Sequence, residues 1–174
     1  MESPLLMASV ALGAVLAMML VELRISRRNE RLLRDSGAVE APQDVYARMQ
    51  WAYPGAFVAM AVEGAIFGSG PGLNTVIGAL LMVLSKAVKY WAVASLGHRW
   101  TFRVLVVPGS SLVVHGPYAV VRHPNYIAVV GELVSMALLV DARVTGPVAT
   151  LLFSLLLRHR IRVENEALRH LTCS

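Results

Sequence analysis

The sequence predicts an all-α integral membrane protein of about five transmembrane helices, and three observations carry that expectation. Hydrophobic types make up 56% of the 174 residues and charged types 16%, where a soluble domain carries about 25% charge. The apolar residues gather into five runs parted by turns or basic segments. The basic residues fall almost entirely on one side of those runs. Lipid-exposed backbone must satisfy its own hydrogen bonds, so each run is expected to be helical. Cys173 is the single cysteine among five histidines, which excludes an internal disulfide framework and a Cys-rich zinc site. The formal charge of +5 sits beside apolar runs, which points to a membrane and away from nucleic acid.

The first run, Pro4 to Leu23, is about the 20 residues a bilayer requires. Glu2 precedes it and the arginines follow it, the reverse of a signal peptide, so it reads as a retained span. The segment 24–50 carries Arg24, Arg27, Arg28, Arg31, Arg34 and Arg48. It fits either an amphipathic helix lying on anionic lipid or a solvated charged connector. The second run, Trp51 to Gly68, contains Glu63; the turn Ser69-Gly70-Pro71-Gly72 separates it from the third, Leu73 to Leu96, which contains Lys86 and Lys89. The fourth, Tyr126 to Val140, and the fifth, Val144 to Leu157, are short for full spans. The tight turn at 141–147 makes them an antiparallel pair.

Of the 16 lysines and arginines, 15 fall on one side of this arrangement and only Arg143 on the other. The positive-inside rule then places the N-terminus outside, and the loop 98–125 and the C-terminus in the cytoplasm.

The loop cannot be membrane filler. Pro108, Pro117 and Pro124 with Gly109 and Gly116 forbid one continuous helix. Loops of this length are usually functional, and His98, His115 and His123 all lie here. Pro124 disfavours the α conformation at His123 and suits the first turn of the fourth helix. His123 therefore precedes a helix N-terminus, where an anion is favoured. Tyr118 and Tyr126 belong at interfacial depth. At the end of the fifth helix, Arg160 and Glu164 stand four apart on one face. Inside the runs, Glu63, Lys86, Lys89 and Glu132 are costly and hence candidate functional groups. Glu63 could pair with Lys86, and Lys89 could snorkel to the interface. Glu132 could face the cytoplasmic pocket or serve a structural hydrogen bond.

Gly116-Pro117-Tyr118, then Arg122-His123-Pro124-Asn125-Tyr126, then Arg160, Glu164 and Leu168 in the tail, resemble the isoprenylcysteine carboxyl methyltransferase family of integral membrane methyltransferases. The resemblance covers about residues 78–170. Five helices in 174 residues leave no room for a separate soluble domain, so the chain reads as a single membrane domain over 1–174, with two N-terminal helices and a basic connector in 1–70 and the catalytic core in 73–170. By the resemblance, the loop and C-terminal helix would enclose S-adenosylmethionine, leaving S-adenosylhomocysteine as product. By position, Ser110, Ser111, Leu112, Val113, Tyr118, His123, Pro124, Asn125 and Tyr126 would line the cofactor site. Glu164 would hold the cofactor's amino group, and Arg160 the acceptor's anionic group. The tail departs from the family where Asn165 separates Glu164 from Glu166, which leaves the role of a second acid open.

Methyl transfer chiefly requires positioning and exclusion of water, and no metal-ligand spacing stands out. A hydroxyl acceptor needs a base, for which His123, His98 and Glu132 are available. The stretch 96–104 is more like the bacterial branch of the family, which implies a bacterial inner membrane and a lipophilic acceptor with a carboxylate or a phenol- or enol-type hydroxyl. Competing readings are a phospholipid N-methyltransferase, an NADPH-dependent membrane reductase, for which no glycine-rich fingerprint is present, and a non-enzymatic scaffold.

Overall fold

The computed structural model describes the backbone of residues 2–172 and the side chains of residues 3–169; Cys173 lies outside the described residues. Five helices follow in chain order: α1 (Glu2–Asp35), α2 (Tyr46–Phe67), α3 (Leu73–Leu96), α4 (Pro124–Val140) and α5 (Thr145–Thr172). Each apolar run forms the body of one helix. Two stretches, Ser3–Asp35 and Leu73–Arg99, are long and apolar enough to cross a membrane, and α4 is apolar but shorter. One short ribbon departs from the all-α expectation. Strand β1 (Val39–Glu40) pairs antiparallel with β2 (Leu105–Val106), in the register Val39 to Val106 and Glu40 to Leu105. The β-branched run around Val104 and Val106 favours that extended form.

Helix α1 is continuous over 34 residues, about 51 Å at 1.5 Å per residue, against a hydrocarbon core of about 30 Å. No glycine or proline interrupts residues 14–36. The first part of the basic segment, 24–35 with Arg24, Arg27, Arg28, Arg31 and Arg34, therefore continues the first helix, and Arg48 lies in α2. The segment is thus not a separate helix but a helical continuation followed by a short non-helical connector, 36–45. The helix ends where Gly37 takes a left-handed conformation, with the Ala38 N–H donating to the Leu33 carbonyl at 2.9 Å.

Four charged side chains inside the bundle form a closed ring. Lys86 Nζ lies 2.8 Å from Glu22 and 2.9 Å from Glu132; Lys89 Nζ lies 2.6 Å from Glu22 and 3.2 Å from Glu132. All four are buried. The Tyr53 hydroxyl donates to Glu132 Oε2 at 2.7 Å, and Lys89 Nζ sits 5.6 Å from the Tyr53 ring centroid. Two acids against two bases leave the ring formally neutral, and each charge has two opposite partners, which offsets its burial. The ring joins α1, α2, α3 and α4.

Glu63 does not pair with Lys86. It accepts from the Val144 N–H at 2.9 Å and the Thr145 N–H at 2.6 Å, at the start of α5. There it satisfies otherwise orphaned helix donors and faces the positive end of the dipole. Lys89 is held in the ring and does not snorkel. On the same end, Arg143 donates to Asp141 at 2.9 and 3.0 Å and to Ser69 Oγ at 3.1 Å, stapling the α2–α3 turn to the α4–α5 turn. The Arg143 hydrogen bonds, helped by Ser69, depress the Asp141 carboxyl to about 2. That contribution is present above the ordinary aspartate pKa and is lost as pH falls toward 2.

The main core packs Phe57, Met60, Leu133, Met136, Val140 and Phe153 among the helices. Glycine permits the closest approach of α3 to α4: a Cβ on Gly78 would lie 2.6 Å from the Leu139 backbone nitrogen.

Breaking the ring on one side strands a buried charge. Lys89→Met should destabilise the protein by about 3 kcal/mol or more and lower Tm by about 6–12 °C. The charge-balanced double variant Glu22→Gln/Lys89→Met should lose less than the sum of the two single changes. Thermal unfolding in detergent measures both.

Candidate functional site

The loop between α3 and α4 is built onto α1 and the tail of α5. Asn29 Nδ2 donates to the carbonyls of Gly97, at 3.2 Å, and Trp100, at 2.8 Å. Ser26 Oγ accepts the Phe102 N–H at 2.8 Å. Ala41, Val104, Val106, Val163 and Ala167 form a second small core beneath the loop, with Leu168 against it. A single 3-10 turn, Gly116–Ala119, starts with Gly116 at positive φ. A Cβ there would strike Ser95 Oγ, so glycine lets the loop close against the end of α3. His123 lies outside the α conformation at φ −130° and ψ 61° without being fully extended, and Pro124 opens α4, as the sequence predicts.

These pieces enclose a cavity of about 1030 Å³. Its walls include Ser110, Ser111, Leu112, Val113, Tyr118, His123, Asn125, Tyr126, Arg160 and Glu164. Thus the loop and tail residues assigned to the cofactor and the acceptor come together, Pro124 excepted. Pro124 is buried as the start of α4 and does not line the cavity. Glu132 is fully buried in the charge ring and does not reach the cavity either. Six residues along a helix turn a side chain about 240° from Tyr126, which aims Glu132 at the two lysines. His98 lines the wall.

The Tyr126 hydroxyl is the centre of the inner wall. It donates to Glu164 Oε2 and accepts from Arg160 Nε at 3.3 Å. Arg160 is 5% exposed; its Nη1 is ion-paired with Asp44 and its Nη2 donates to the Phe102 carbonyl. Asp44 is itself fixed, accepting the Tyr46 N–H at 3.0 Å and the Val104 N–H at 2.8 Å. Arg160 and Glu164 share a helix face, as expected, but meet through Tyr126 rather than directly. The His123 ring stacks on Tyr126 with centroids 5.5 Å apart. His123 Nε2 lies 3.2 Å from Asn165 Oδ1, and Nδ1 lies 3.9 Å from Glu164 Oε1. Asn125 Oδ1 is buried and has no hydrogen-bond partner among the described residues. Burial, with the Glu164 charge beside it, raises the Tyr118 phenol well above its ordinary value, so it stays protonated and able to donate. At the rim, burial alone would raise the Glu40 carboxyl, but hydrogen bonds from Arg34 and Arg103 outweigh it and hold the group low.

Two residues escaped the sequence reading. Asp44 carries only a weak signal, an acid two residues before a helix start. Asn165 was visible as a departure from paired acids, but its contact with His123 depends on how α5 lies against the loop.

A model of the Isoprenylcysteine carboxyl methyltransferase (ICMT) family matches residues 77–170, more than half of the chain. An uncharacterized protein of Bacillus subtilis, YpbQ, is 34% identical over 149 residues, covering 85% of this chain and 88% of its own length. An uncharacterized protein of Haemophilus influenzae is 24% identical over 168 residues, covering 96% and 98%.

Tyr126→Phe removes the shared partner of Arg160 and Glu164 in a half-buried setting. A loss of about 1–3 kcal/mol should lower Tm by about 2–12 °C, read by thermal unfolding. An unchanged Tm would show that the hydroxyl does not tie the two together.

Proposed function

The chain belongs to the isoprenylcysteine carboxyl methyltransferase family, a family of membrane methyltransferases, and from that premise we propose that it is an S-adenosylmethionine-dependent methyltransferase of a lipophilic acceptor. The reaction takes place at the cytoplasmic face of a five-helix membrane domain whose N-terminus is outside. The observation that carries this reading is the cavity: its inner wall is made by the same loop and tail residues that carry the family resemblance.

The residues fit the cofactor. Glu164 is a carboxylate beside a neutral hydrogen-bond donor, Tyr126, and so suits a cationic amino group. Asn125 Oδ1 is a buried acceptor that a ligand N–H can satisfy. The volume lies at the top of the 300–1,000 Å³ range of ligand pockets, room for a nucleoside-sized cofactor with an acceptor beside it. When bound, the cofactor supplies an electrophilic methyl group on a cationic sulfur. The chain's own residues position the partners and exclude water. Ser110 to Val113, Tyr118, Asn125 and Tyr126 form the cofactor wall.

Arg160 supplies positive charge to the acceptor oxygen from a fixed position. For a hydroxyl acceptor, His123 is the base. With Nε2–H donating to Asn165 Oδ1, Nδ1 keeps its lone pair for the proton. His98 is a second candidate base on the wall, and Glu132 is assigned to the charge ring. A lipophilic acceptor is supported by the apolar part of the lining: Leu112, Val114 and Val120 border the cavity and are 55%, 72% and 84% exposed. A loop presenting these side chains is better suited to lipid than to water. A phenol- or enol-type hydroxyl or a carboxylate fits, and the setting is a bacterial inner membrane.

Calorimetry with S-adenosylhomocysteine on detergent-purified protein tests the reading. Saturable binding near one per chain is expected. Glu164→Ala removes a charge-assisted contact of about 1.5–3 kcal/mol and should weaken binding about 10- to 100-fold. No binding to folded, monodisperse protein sinks the cofactor assignment.

A further inference from the structure

Glu164 is the only acidic side chain in the cavity lining among the described residues, and it stands among many cations: Arg99, Arg103, Arg122, Arg160 and Arg169 line the same space. Yet its carboxylate has no arginine or lysine nitrogen at ion-pair distance among the described residues. The basic nitrogen it does meet is His123 Nδ1, at 3.9 Å. Arg160 is placed to pair with it, four residues earlier on the same helix face, a spacing that ordinarily brings opposite charges together.

The arginine is drawn elsewhere. Asp44 takes Nη1, the Phe102 carbonyl takes Nη2 and the Tyr126 hydroxyl takes Nε. Asp44 is the only one of these three partners with a full negative charge. It cannot easily follow Arg160, because the backbone N–H groups of Tyr46 and Val104 hold both of its oxygens. A similar diversion occurs one layer out: Glu40, 2.6 Å away, and Glu30, 3.6 Å away, pair with Arg103.

We infer that Asp44 keeps Glu164 available to a cationic ligand group by holding Arg160 away from it. Asp44 is a positioning residue that touches neither partner of the reaction. It lies before residue 77, outside the part of the chain that matches the family. The N-terminal third is thus a working part of the site: it supplies the counter-charge to Arg160 that Glu164 would otherwise provide. The inference rests on the reading of this cavity as the methyl-donor site.

A set of variants tests it by S-adenosylhomocysteine calorimetry. Asp44→Asn nearly conserves shape and removes the charge. Arg160 should then turn onto Glu164, and affinity should fall at least tenfold. Removing the arginine as well, in Asp44→Asn/Arg160→Gln, should restore affinity to within threefold of wild type. A purely structural role for Asp44 predicts no such rescue. If Asp44→Asn alone does not fold, the comparison moves to the Arg160→Gln background, where adding Asp44→Asn should leave affinity unchanged within threefold. A tenfold loss there overturns the inference, as does wild-type affinity in Asp44→Asn itself. A wild-type protein that binds no S-adenosylhomocysteine sinks the methyl-donor reading instead. Ligand-free structures then decide the inference. Asp44→Asn should show Arg160 on Glu164, or, if that variant does not fold, Asp44→Ser should show the same. Arg160 left in its wild-type position with Glu164 unpaired contradicts it.

Discussion

The structure depends on a neutral ring of four buried charges, Glu22, Lys86, Glu132 and Lys89. An isolated charge in this setting would be expensive, so each of the four requires the others to be in place. That requirement fixes the registers of α1, α3 and α4 together, and Tyr53 adds α2. The consequences reach the site along the helices. Ser26 and Asn29 lie one to two turns beyond Glu22 on α1, and they hold the backbone of the cavity loop. Tyr126 lies six residues before Glu132 on α4 and meets Arg160 and Glu164. Apolar packing alone specifies register more loosely, because volume-conserving slips of aliphatic side chains are tolerated.

At the cavity the same economy of charge operates with a different result. The ring neutralises its charges completely. The cavity neutralises its arginines selectively, through Asp44 and Glu40 from the connector and carbonyls of the loop, and leaves Glu164 with a neutral phenol. Selective pairing of this kind turns a strongly basic wall into one with a single anionic spot. It also gives the ribbon of β1 and β2 a role, because that pairing brings the connector and its acids alongside the loop.

The five helices were legible because each apolar run is bounded by turn residues or a basic segment, and an apolar backbone that satisfies its own hydrogen bonds is helical. The wall residues of the loop and tail were legible because proline and glycine fix the loop's shape and because a family resemblance named them. What the sequence left hidden were pairings across distant segments. Glu63 and Lys86 are charges of opposite sign inside apolar runs, so pairing them was reasonable. The structure instead gives Glu63 to the start of α5 and Lys86 to Glu22 and Glu132. Helix phase decides such cases, and it follows from packing. For Glu132 the sequence left a place at the pocket and a structural bond both open, and helix phase decides for the second, because six residues from Tyr126 do not make a whole number of turns. Asp44 gave only a weak signal, because its partner is 116 residues away in sequence.

The most direct test of the account is transfer itself. Inside-out bacterial membrane vesicles carrying the protein are given S-adenosylmethionine labelled in its methyl group, and the total lipid extract is analysed for label. A labelled apolar product bearing an O-methyl group is expected, absent from vesicles carrying Glu164→Ala. Label confined to the amine of a phospholipid would contradict the acceptor chemistry, and no protein-dependent label from any acceptor in the extract would contradict the account as a whole.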